Sequence, residues 1–196
     1  MNRTLQCKCG HLQGQLGHPA KSTRLVCYCK DCRAFAHYLG RPADLIDPQG
    51  GCEIVVTHPQ EVTFSSGTDA IACVSLSEQG MLRWYARCCN TPIGNTPRNN
   101  KLAYVGLAAA CLTGTASLET DVGPVRMRSC TESAKGKVAS SGLRSLFVMA
   151  GFARALLGAR LTGSYRRNPF FEGGAEPVAT PTVLSTEQYA RLRAID

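Results

Sequence analysis

Acidic residues, tryptophan and long apolar runs are all scarce in this sequence. The 196 residues contain 14 Asp and Glu against 22 Lys and Arg, and they contain a single Trp. No stretch of 18 uncharged apolar residues occurs, so an ordinary membrane-spanning helix is not expected. Charged residues make up 18% and apolar residues 44%, which is typical of a globular chain rather than a disordered one. The length predicts one medium-sized domain or two small ones.

No secretory leader is expected from the first residues of the sequence. The segment Met1–Cys7, MNRTLQC, has no apolar core of the kind that a signal peptide carries. The 11 cysteines are an odd number in a chain longer than most disulfide-stapled domains, which argues against a secreted disulfide framework. We therefore expect a cytoplasmic protein, and in a reducing compartment clustered cysteines usually bind metal ions.

The positive charge is concentrated in one segment. The formal net charge is +8, and residues 124–167 hold nine Lys and Arg against one acidic residue, Glu132. Such a basic segment is a weak indication of nucleic-acid binding. Aromatic side chains, on which single-stranded nucleic acids stack, are few within it. Nucleic-acid binding is therefore expected to be weak or absent.

Hydrophobic patterning divides the chain into two parts. Residues 5–107 contain short segments of β-forming residues separated by turns, which predict a mainly β, antiparallel domain. The predicted strands are 52–57, 61–66, 70–76, 81–86 and 102–107. We assign residues 1–123 to this domain. Residues 124–196 are assigned to a basic connector, a helix and a tail that pack on it.

Two helices are predicted in this C-terminal part. Residues 143–161 have apolar side chains on nearly all sides, interrupted by three arginines. We expect this helix to cover one face of the sheet; the alternatives are a helix at a membrane surface and a contact with a second copy in a homodimer. A final helix is predicted to begin at Ser185, because Gln188 completes a capping box.

Seven cysteines form three short motifs. The motifs are Cys7-Lys8-Cys9-Gly10, Cys27-Tyr28-Cys29-Lys30-Asp31-Cys32 and Cys88-Cys89. Zinc prefers thiolate ligands in tetrahedral geometry, and cysteines close together in sequence can reach one ion. The C-x-C-x-x-C motif supplies three ligands, which leaves a fourth position open as in catalytic zinc sites. The alternatives are coincidence for C-x-C, and redox or iron–sulfur chemistry for C-x-C-x-x-C.

The remaining cysteines and the histidines show no ligand spacing. Four scattered cysteines are interpreted as small apolar residues: Cys52, Cys73, Cys111 and Cys130. Four histidines are expected at the surface: His11, His18, His37 and His58. Three side chains in or near the C-x-C-x-x-C loop could orient a ligand or face a pocket: Tyr28, Asp31 and His37.

Taken together, the three motifs resemble the glutathione-dependent formaldehyde-activating enzyme (GFA) family, which includes the centromere protein CENP-V. The resemblance covers residues 5–110: C-x-C-G, then C-x-C-x-x-C about twenty residues later, then a cysteine-containing turn after Trp84-Tyr85. It implies a small zinc-binding β-tent domain with up to two zinc ions. Three residues match the family's catalytic zinc ligands: Cys27, Cys29 and Cys32. Three match its structural zinc ligands: Cys7, Cys9 and Cys89.

The chain departs from the family at its last motif. Ala86 occupies the position of the family's remaining structural cysteine, and Cys88 is the adjacent substitute. Successive side chains of a strand point to opposite faces, so Cys88 and Cys89 can share one ion only if the backbone turns sharply. Asn90 tolerates the left-handed conformation that such a turn uses. A vicinal disulfide and an empty site are the alternatives.

Two functions are compatible with these observations. The resemblance implies a zinc enzyme of the carbon–sulfur lyase class that acts on a small thiol adduct, such as a glutathione–aldehyde adduct. A three-thiolate zinc permits this chemistry, although thiolates weaken its Lewis acidity. The alternative is a zinc-stabilised module that binds nucleic acid or another polyanion through its basic C-terminal segment.

Overall fold

The computed structural model describes residues 2–139, 142–173 and 175–195. The strands are β1 (Arg3–Gln6), β2 (Gln13–Leu16), β3 (Thr23–Cys27), β4 (Cys52–Thr57), β5 (Val62–Ser66), β6 (Ile71–Ser75), β7 (Leu82–Ala86), β8 (Thr91–Thr96), β9 (Val105–Ala108), β10 (Leu112–Thr113), β11 (Met127–Ser129), β12 (Phe171–Glu172), β13 (Glu176–Pro177) and β14 (Thr182–Val183). The α-helices are α1 (Lys30–Tyr38), α2 (Pro42–Leu45), α3 (Leu118–Asp121), α4 (Gly142–Thr162) and α5 (Thr186–Arg193).

Two sheets make up most of the fold. An antiparallel four-stranded sheet has the order β10-β1-β2-β5, and an eight-stranded sheet has the order β11-β3-β4-β9-β8-β7-β6-β14. A short antiparallel pair, β12-β13, stands apart. The expected mainly β architecture with a C-terminal helix is therefore confirmed, and the five predicted strands occur as β4, β5, β6, β7 and β9.

The eight-stranded sheet is mixed rather than antiparallel. β11 runs parallel to β3 at one edge, and β14 runs parallel to β6 at the other. Both edge strands come from the C-terminal part, and β11 lies within the segment expected to be a connector. These strands are two or three residues long, so they carry no alternating pattern of their own and form by pairing with an existing edge.

The main core joins residues of both sheets around Trp84. This side chain is fully buried, and its indole N–H donates to Thr96 Oγ1 at 3.0 Å, which satisfies its polar atom. The ring of Phe170, also fully buried, lies with its centroid 5.2 Å from that of Trp84 and 5.6 Å from that of Phe64. The C-terminal segment thus supplies a central core residue.

A second core lies beneath α1 and α5. It contains Phe35 and Leu39 of α1 together with Leu184, which precedes α5. The capping box predicted at Ser185 is present, with Gln188 as its partner. The last helix therefore begins where the sequence indicates.

The helix predicted over 143–161 is α4, and it contacts the domain along one side only. The ring centroids of Phe152 and Tyr104 lie 5.1 Å apart, and Ala159 is buried. A cavity of about 740 Å³ separates much of α4 from β3, β4 and β11. The window Ser145–Thr162 is long and apolar enough to cross a membrane, with a mean hydropathy of 1.3, and 6% of it is buried. The side chains of residues 143 and 144 lie outside the described part of the chain.

Candidate metal centres

Four cysteine sulfurs meet where the segment after β1 approaches the turn between β7 and β8. The Sγ of Cys9 lies 3.5 Å from that of Cys7 and 3.3 Å from that of Cys88. The Sγ of Cys88 lies 3.8 Å from both Cys7 and Cys89. All four atoms lie within 4.8 Å of one another. A tetrahedral zinc with Zn–S bonds of about 2.3 Å sets its sulfur ligands about 3.8 Å apart, so this group fits such an ion.

A tight turn after β1 brings the first two sulfurs to this point. Gly10 has a φ of 79°, in the left-handed region that glycine adopts most easily, and its N–H donates to the Cys7 carbonyl oxygen at 2.9 Å. The N–H of Leu12 donates to Cys7 Sγ at 3.3 Å. The backbone thus directs a proton donor at a sulfur that could bind a metal ion.

A second turn lets the side chains of two adjacent cysteines, Cys88 and Cys89, point to the same group. The N–H of Cys89 donates to the Ala86 carbonyl oxygen at 3.3 Å, and Asn90 has a φ of 52°. The chain therefore leaves the strand conformation at these residues, and asparagine tolerates the left-handed region. As a result Cys88 and Cys89 reach the same group of sulfurs, while Ala86 stays in the core.

The hydroxyl of Thr91 contacts this group of sulfurs and two of its neighbours. Its Oγ1 accepts the N–H of Lys8 at 2.9 Å and a guanidinium N–H of Arg41 at 3.2 Å, and it lies 3.1 Å from Cys89 Sγ. Burial raises the pKa of Cys89, but hydrogen bonds from Thr91 and Cys9 outweigh burial and lower that pKa to about 6. The Cys89 thiol therefore ionises more easily than an ordinary cysteine, and a cysteine must lose its proton to bind a metal ion.

Three further sulfurs meet at the start of α1. Cys27 ends β3, Cys29 precedes the first residue of α1, and Cys32 lies in its first turn. The Sγ atoms of Cys27 and Cys29 are 3.3 Å apart, and all three lie within 4.8 Å of one another. Cys29 Sγ accepts the N–H of Cys32 at 3.4 Å, in place of the usual hydroxyl or carboxylate cap. The N-terminus of a helix favours negative charge, which suits a group of thiolates.

Ionisation is unevenly shared among these three thiols. Hydrogen bonds from Cys29 and Cys32 lower the pKa of Cys27 to about 2, despite burial. The pKa of Cys32 is raised by its hydrogen bonds to Cys27 and Cys29 and by its burial. One thiol therefore ionises at the expense of another, because neighbouring thiolates repel each other. A divalent cation between them would remove this conflict.

The four scattered cysteines fall into two pairs. Two lie in the main core, as predicted: Cys73 and Cys111. The other two do not belong to it. Cys52 is the cross-strand partner of Cys27, and Cys130 follows Ser129, the partner of Cys27 on β11. Strand pairing, which the spacing of cysteines cannot reveal, places these two thiols beside the three-thiol group.

A cavity of about 530 Å³ opens beside the three-thiol group. Cys32 and Phe35 of α1 line it, together with Cys52 of β4, Arg83 of β7 and Gly94 of β8. Its volume falls within the range of small-molecule sites, which are concave and mostly apolar with a few polar groups. The three-thiol group thus has a ligand-sized space next to it.

Arg83 is the one Lys or Arg among the described residues that line this cavity. Arg83 is 6% exposed, and its guanidinium carbon lies 5.5 Å from the centroid of the Phe35 ring. A cation stacked on an aromatic face gains some stabilisation, but a buried charge is costly unless an anion pairs with it.

The acidic residues that line the cavity are already engaged. Asp44 pairs with Arg41, and Glu53 pairs with Arg24. A carboxylate oxygen of Asp47 accepts two backbone N–H groups at 2.9 and 2.7 Å. The cavity therefore offers an anionic ligand a cation without requiring it to displace these carboxylates.

A family model described as "Family of unknown function (DUF6151)" matches residues 2–181. The chain belongs to this family. It is also similar to a Rhodobacter sphaeroides protein whose crystal structure was determined by structural genomics, with 18% identity and a TM-score of 0.41 over 64% of this chain and 98% of that chain. None of the curated proteins matches the sequence.

In this DUF6151 chain, the three side chains considered for orienting a ligand or facing a pocket are not among the described residues that line the cavity. Asp31 accepts a hydrogen bond from the Tyr189 hydroxyl at 2.6 Å, so it holds α5 against α1. Tyr28 is buried, His37 is half-buried, and neither is among the described residues that line the cavity. Sequence reasoning missed Arg83, although a charged residue inside an otherwise apolar strand was a signal that could have found it.

Proposed function

We propose that this protein is a zinc enzyme of the carbon–sulfur lyase class that acts on a small thiol adduct bearing a carboxylate. The observation that carries the proposal is a three-thiol group beside a ligand-sized cavity with one buried cation. Structural zinc sites are closed by four protein ligands, whereas three leave a position for a substrate. The four-cysteine group at Cys7 would then hold a structural zinc, and the group at Cys27 would hold the catalytic one.

The proposed reaction is the reversible addition of a thiol to an aldehyde. A zinc ion held by Cys27, Cys29 and Cys32 would supply a Lewis acid for an oxygen or a binding point for a sulfur. In the forward direction the thiol sulfur donates its electron pair to the carbonyl carbon, and a C–S bond forms. The carbonyl oxygen takes up the proton that the thiol releases. The reverse reaction breaks the C–S bond and re-forms the carbonyl, so neither direction needs an oxidant.

Arg83 would position the substrate within the cavity. A guanidinium binds a carboxylate through two parallel N–H···O hydrogen bonds, which fixes orientation as well as adding affinity. Its stacking on Phe35 limits the conformations that it can adopt. Since Arg83 and Cys32 line the same cavity, a carboxylate-bearing thiol such as glutathione or a smaller analogue could reach both.

The resemblance to the GFA family supports the same conclusion. The residues that the resemblance assigns to two separate zinc ions form two separate groups of sulfurs here. Two β-sheets that share one core are compatible with a β-tent domain. The missing cysteine at Ala86 is compensated by Cys88, which lies 3.3 Å from Cys9.

The proposal is tested by measuring exchange between free glutathione, formaldehyde and their adduct by NMR. The zinc-loaded protein should accelerate this exchange above the rate measured without protein. Cys29→Ser should abolish the acceleration, whereas Cys73→Ala, which alters a buried thiol in the main core, should keep it. If the wild-type protein leaves exchange unchanged for glutathione and for smaller carboxylate-bearing thiols, the proposal is wrong.

The alternative is a zinc-stabilised module that binds a polyanion. Its basic residues lie on elements of different geometry: Arg128 on β11, Arg154 and Arg160 on α4. We expect non-specific binding only, with a dissociation constant on the order of 10⁻⁴–10⁻⁶ M at physiological salt. Submicromolar, salt-dependent binding of DNA or RNA would favour this alternative instead.

A further inference from the structure

One side of α4 carries an exposed apolar stripe. Residues spaced three and four apart lie on one side of a helix, and here they are Leu146, Ala150, Ala153, Leu157 and Leu161. The three leucines are 64%, 57% and 79% exposed. Phe147 lies beside the stripe and is 80% exposed. Water-exposed apolar patches of this kind mark a site of interaction.

The charged residues of α4 and of the chain segments next to it in sequence are all positive. Residues 133–171 contain seven Lys and Arg and no Asp or Glu. Arg154 and Arg160 are both exposed, and helical geometry places them on opposite flanks of the stripe. An apolar side bordered by arginines fits the surface of an anionic bilayer, where the apolar residues enter the acyl boundary and the guanidinium groups reach lipid phosphates.

The chain segments before and after α4 both contact the same β domain. Before it, β11 pairs with β3, and the N–H of Lys135 donates to the Gln49 carbonyl oxygen at 2.8 Å. After it, Phe170 lies in the main core. A spanning helix places its two ends on opposite sides of a hydrocarbon layer about 30 Å thick, and the chain on both sides of α4 is fixed to one body. The helix is therefore placed to lie along a membrane rather than to cross it.

A second copy of the chain fits this side of α4 less well. The helix contains no Asp or Glu, so pairing two copies through α4 would bring Arg154 and Arg160 of each copy together without a carboxylate. Like charges gathered at an interface destabilise it, whereas anionic lipids neutralise them. We propose that α4 lies in the headgroup region of an anionic bilayer and anchors the β domain at the membrane surface.

This inference is independent of the proposed enzymatic function, and it is tested by co-sedimentation with vesicles. The protein is mixed with vesicles of phosphatidylcholine alone or with about one-third phosphatidylserine. We expect binding to the anionic vesicles, at least about tenfold weaker binding to the neutral ones, and weakening of the anionic binding with added salt.

Two variants separate the apolar and the electrostatic contributions. L157E/L161E should reduce binding to anionic vesicles by about tenfold or more, because it places charge in the stripe. The matched control V183E/I195E makes the same change at two other exposed apolar residues, 43% and 48% exposed, and should bind as the wild type does. R154Q/R160Q should weaken binding to anionic vesicles until its affinity approaches that for neutral vesicles.

Three results would overturn the inference. One is the absence of binding to anionic vesicles. Another is an equal loss of binding in L157E/L161E and V183E/I195E, with zinc content and circular dichroism unchanged in both. The third is a wild type that is a dimer and binds no vesicles, together with an L157E/L161E variant that is a monomer. This result would identify a second copy as the partner of α4.

Discussion

The Sγ atoms of Cys9 and Cys88 lie 3.3 Å apart, although 79 positions separate the two residues in the sequence. Cys9 follows β1 of the four-stranded sheet, and Cys88 follows β7 of the eight-stranded sheet. An ion bound by this group would therefore fasten one sheet to the other. The second group instead joins the end of β3 to the start of α1, so the two groups have different structural consequences.

Loss of the first group should destabilise the fold. We expect Cys7→Ala to lower the melting temperature of the zinc-loaded protein by about 10 °C. In the chain-entropy model, a cross-link that closes a loop of about 80 residues is worth about 4 kcal/mol. In a chain of this size, 1 kcal/mol shifts the melting temperature by about 2–4 °C. The matched control is Cys73→Ala, since both cysteines are 3% exposed. Equal decreases, measured by calorimetry, would argue against a metal between the sheets.

Zinc content should report the two groups separately. We expect two equivalents in the wild type and one in either Cys29→Ser or Cys9→Ser, measured by inductively coupled plasma mass spectrometry. Cys130→Ser should keep both, because the three grouped sulfurs do not include it. Unchanged zinc in Cys29→Ser would refute the second site, and a lost equivalent in Cys130→Ser would show that a fourth cysteine closes it.

Thiol reactivity of the metal-free protein should follow the pKa values. Because the pKa of Cys89 is lowered to about 6, it is mostly thiolate at pH 7, and its alkylation rate should rise through pH 6 and level off above. Burial raises the pKa of Cys73 and of Cys111 to about 12, so both should stay unlabelled in the folded protein. Peptide mapping after iodoacetamide treatment measures this. Thr91→Val should move the Cys89 midpoint upward, since it removes a hydrogen bond to the thiolate.

Arg83→Gln should affect substrate binding more than turnover. A charged hydrogen-bonded pair contributes about 1.5–3 kcal/mol, so we expect KM for a carboxylate-bearing thiol adduct to rise by about 10–100-fold with kcat little changed. The adduct of 2-mercaptoethanol, which has no carboxylate, should be insensitive. The control is Arg98→Gln, which removes a surface arginine bonded to the Gly80 carbonyl oxygen at 2.9 Å. Equal effects of Arg83→Gln on both adducts would contradict the assigned role.

The contribution of the C-terminal segment to the core is also testable. Phe170→Ala should lower the free energy of unfolding by about 3–5 kcal/mol, because it leaves a cavity beside Trp84. Phe147→Ala makes the same change at a residue that is 80% exposed, so it should have little effect. Urea unfolding measures both. Similar midpoints for the two variants would show that Phe170 is not part of the main core.

Several features of this protein could be predicted from neighbouring residues. The segment of β-branched residues at β4 and the capping box at Ser185 depend on residues within a few positions of one another, so the sequence alone indicates them. The same holds for the C-x-C-x-x-C loop, because its ligand types and their spacing are local properties. The left-handed residue that the Cys88-Cys89 pair requires is likewise found at Asn90.

Other features are decided by the tertiary structure. Nothing near Phe170 indicates that it packs against Trp84, and the pattern of α4 does not reveal that one side stays exposed. Cys52 and Cys130 lie beside Cys27 because β4 and β11 pair with β3, and Arg83 reaches the same cavity because α1 packs on its strand. Segments that are far apart in the sequence come together because strands pair in register and because the core as a whole is buried. The local sequence therefore determined which side chains are available to bind a metal ion and where most strands and helices form, and only the packing of distant segments decided which side chains share a site.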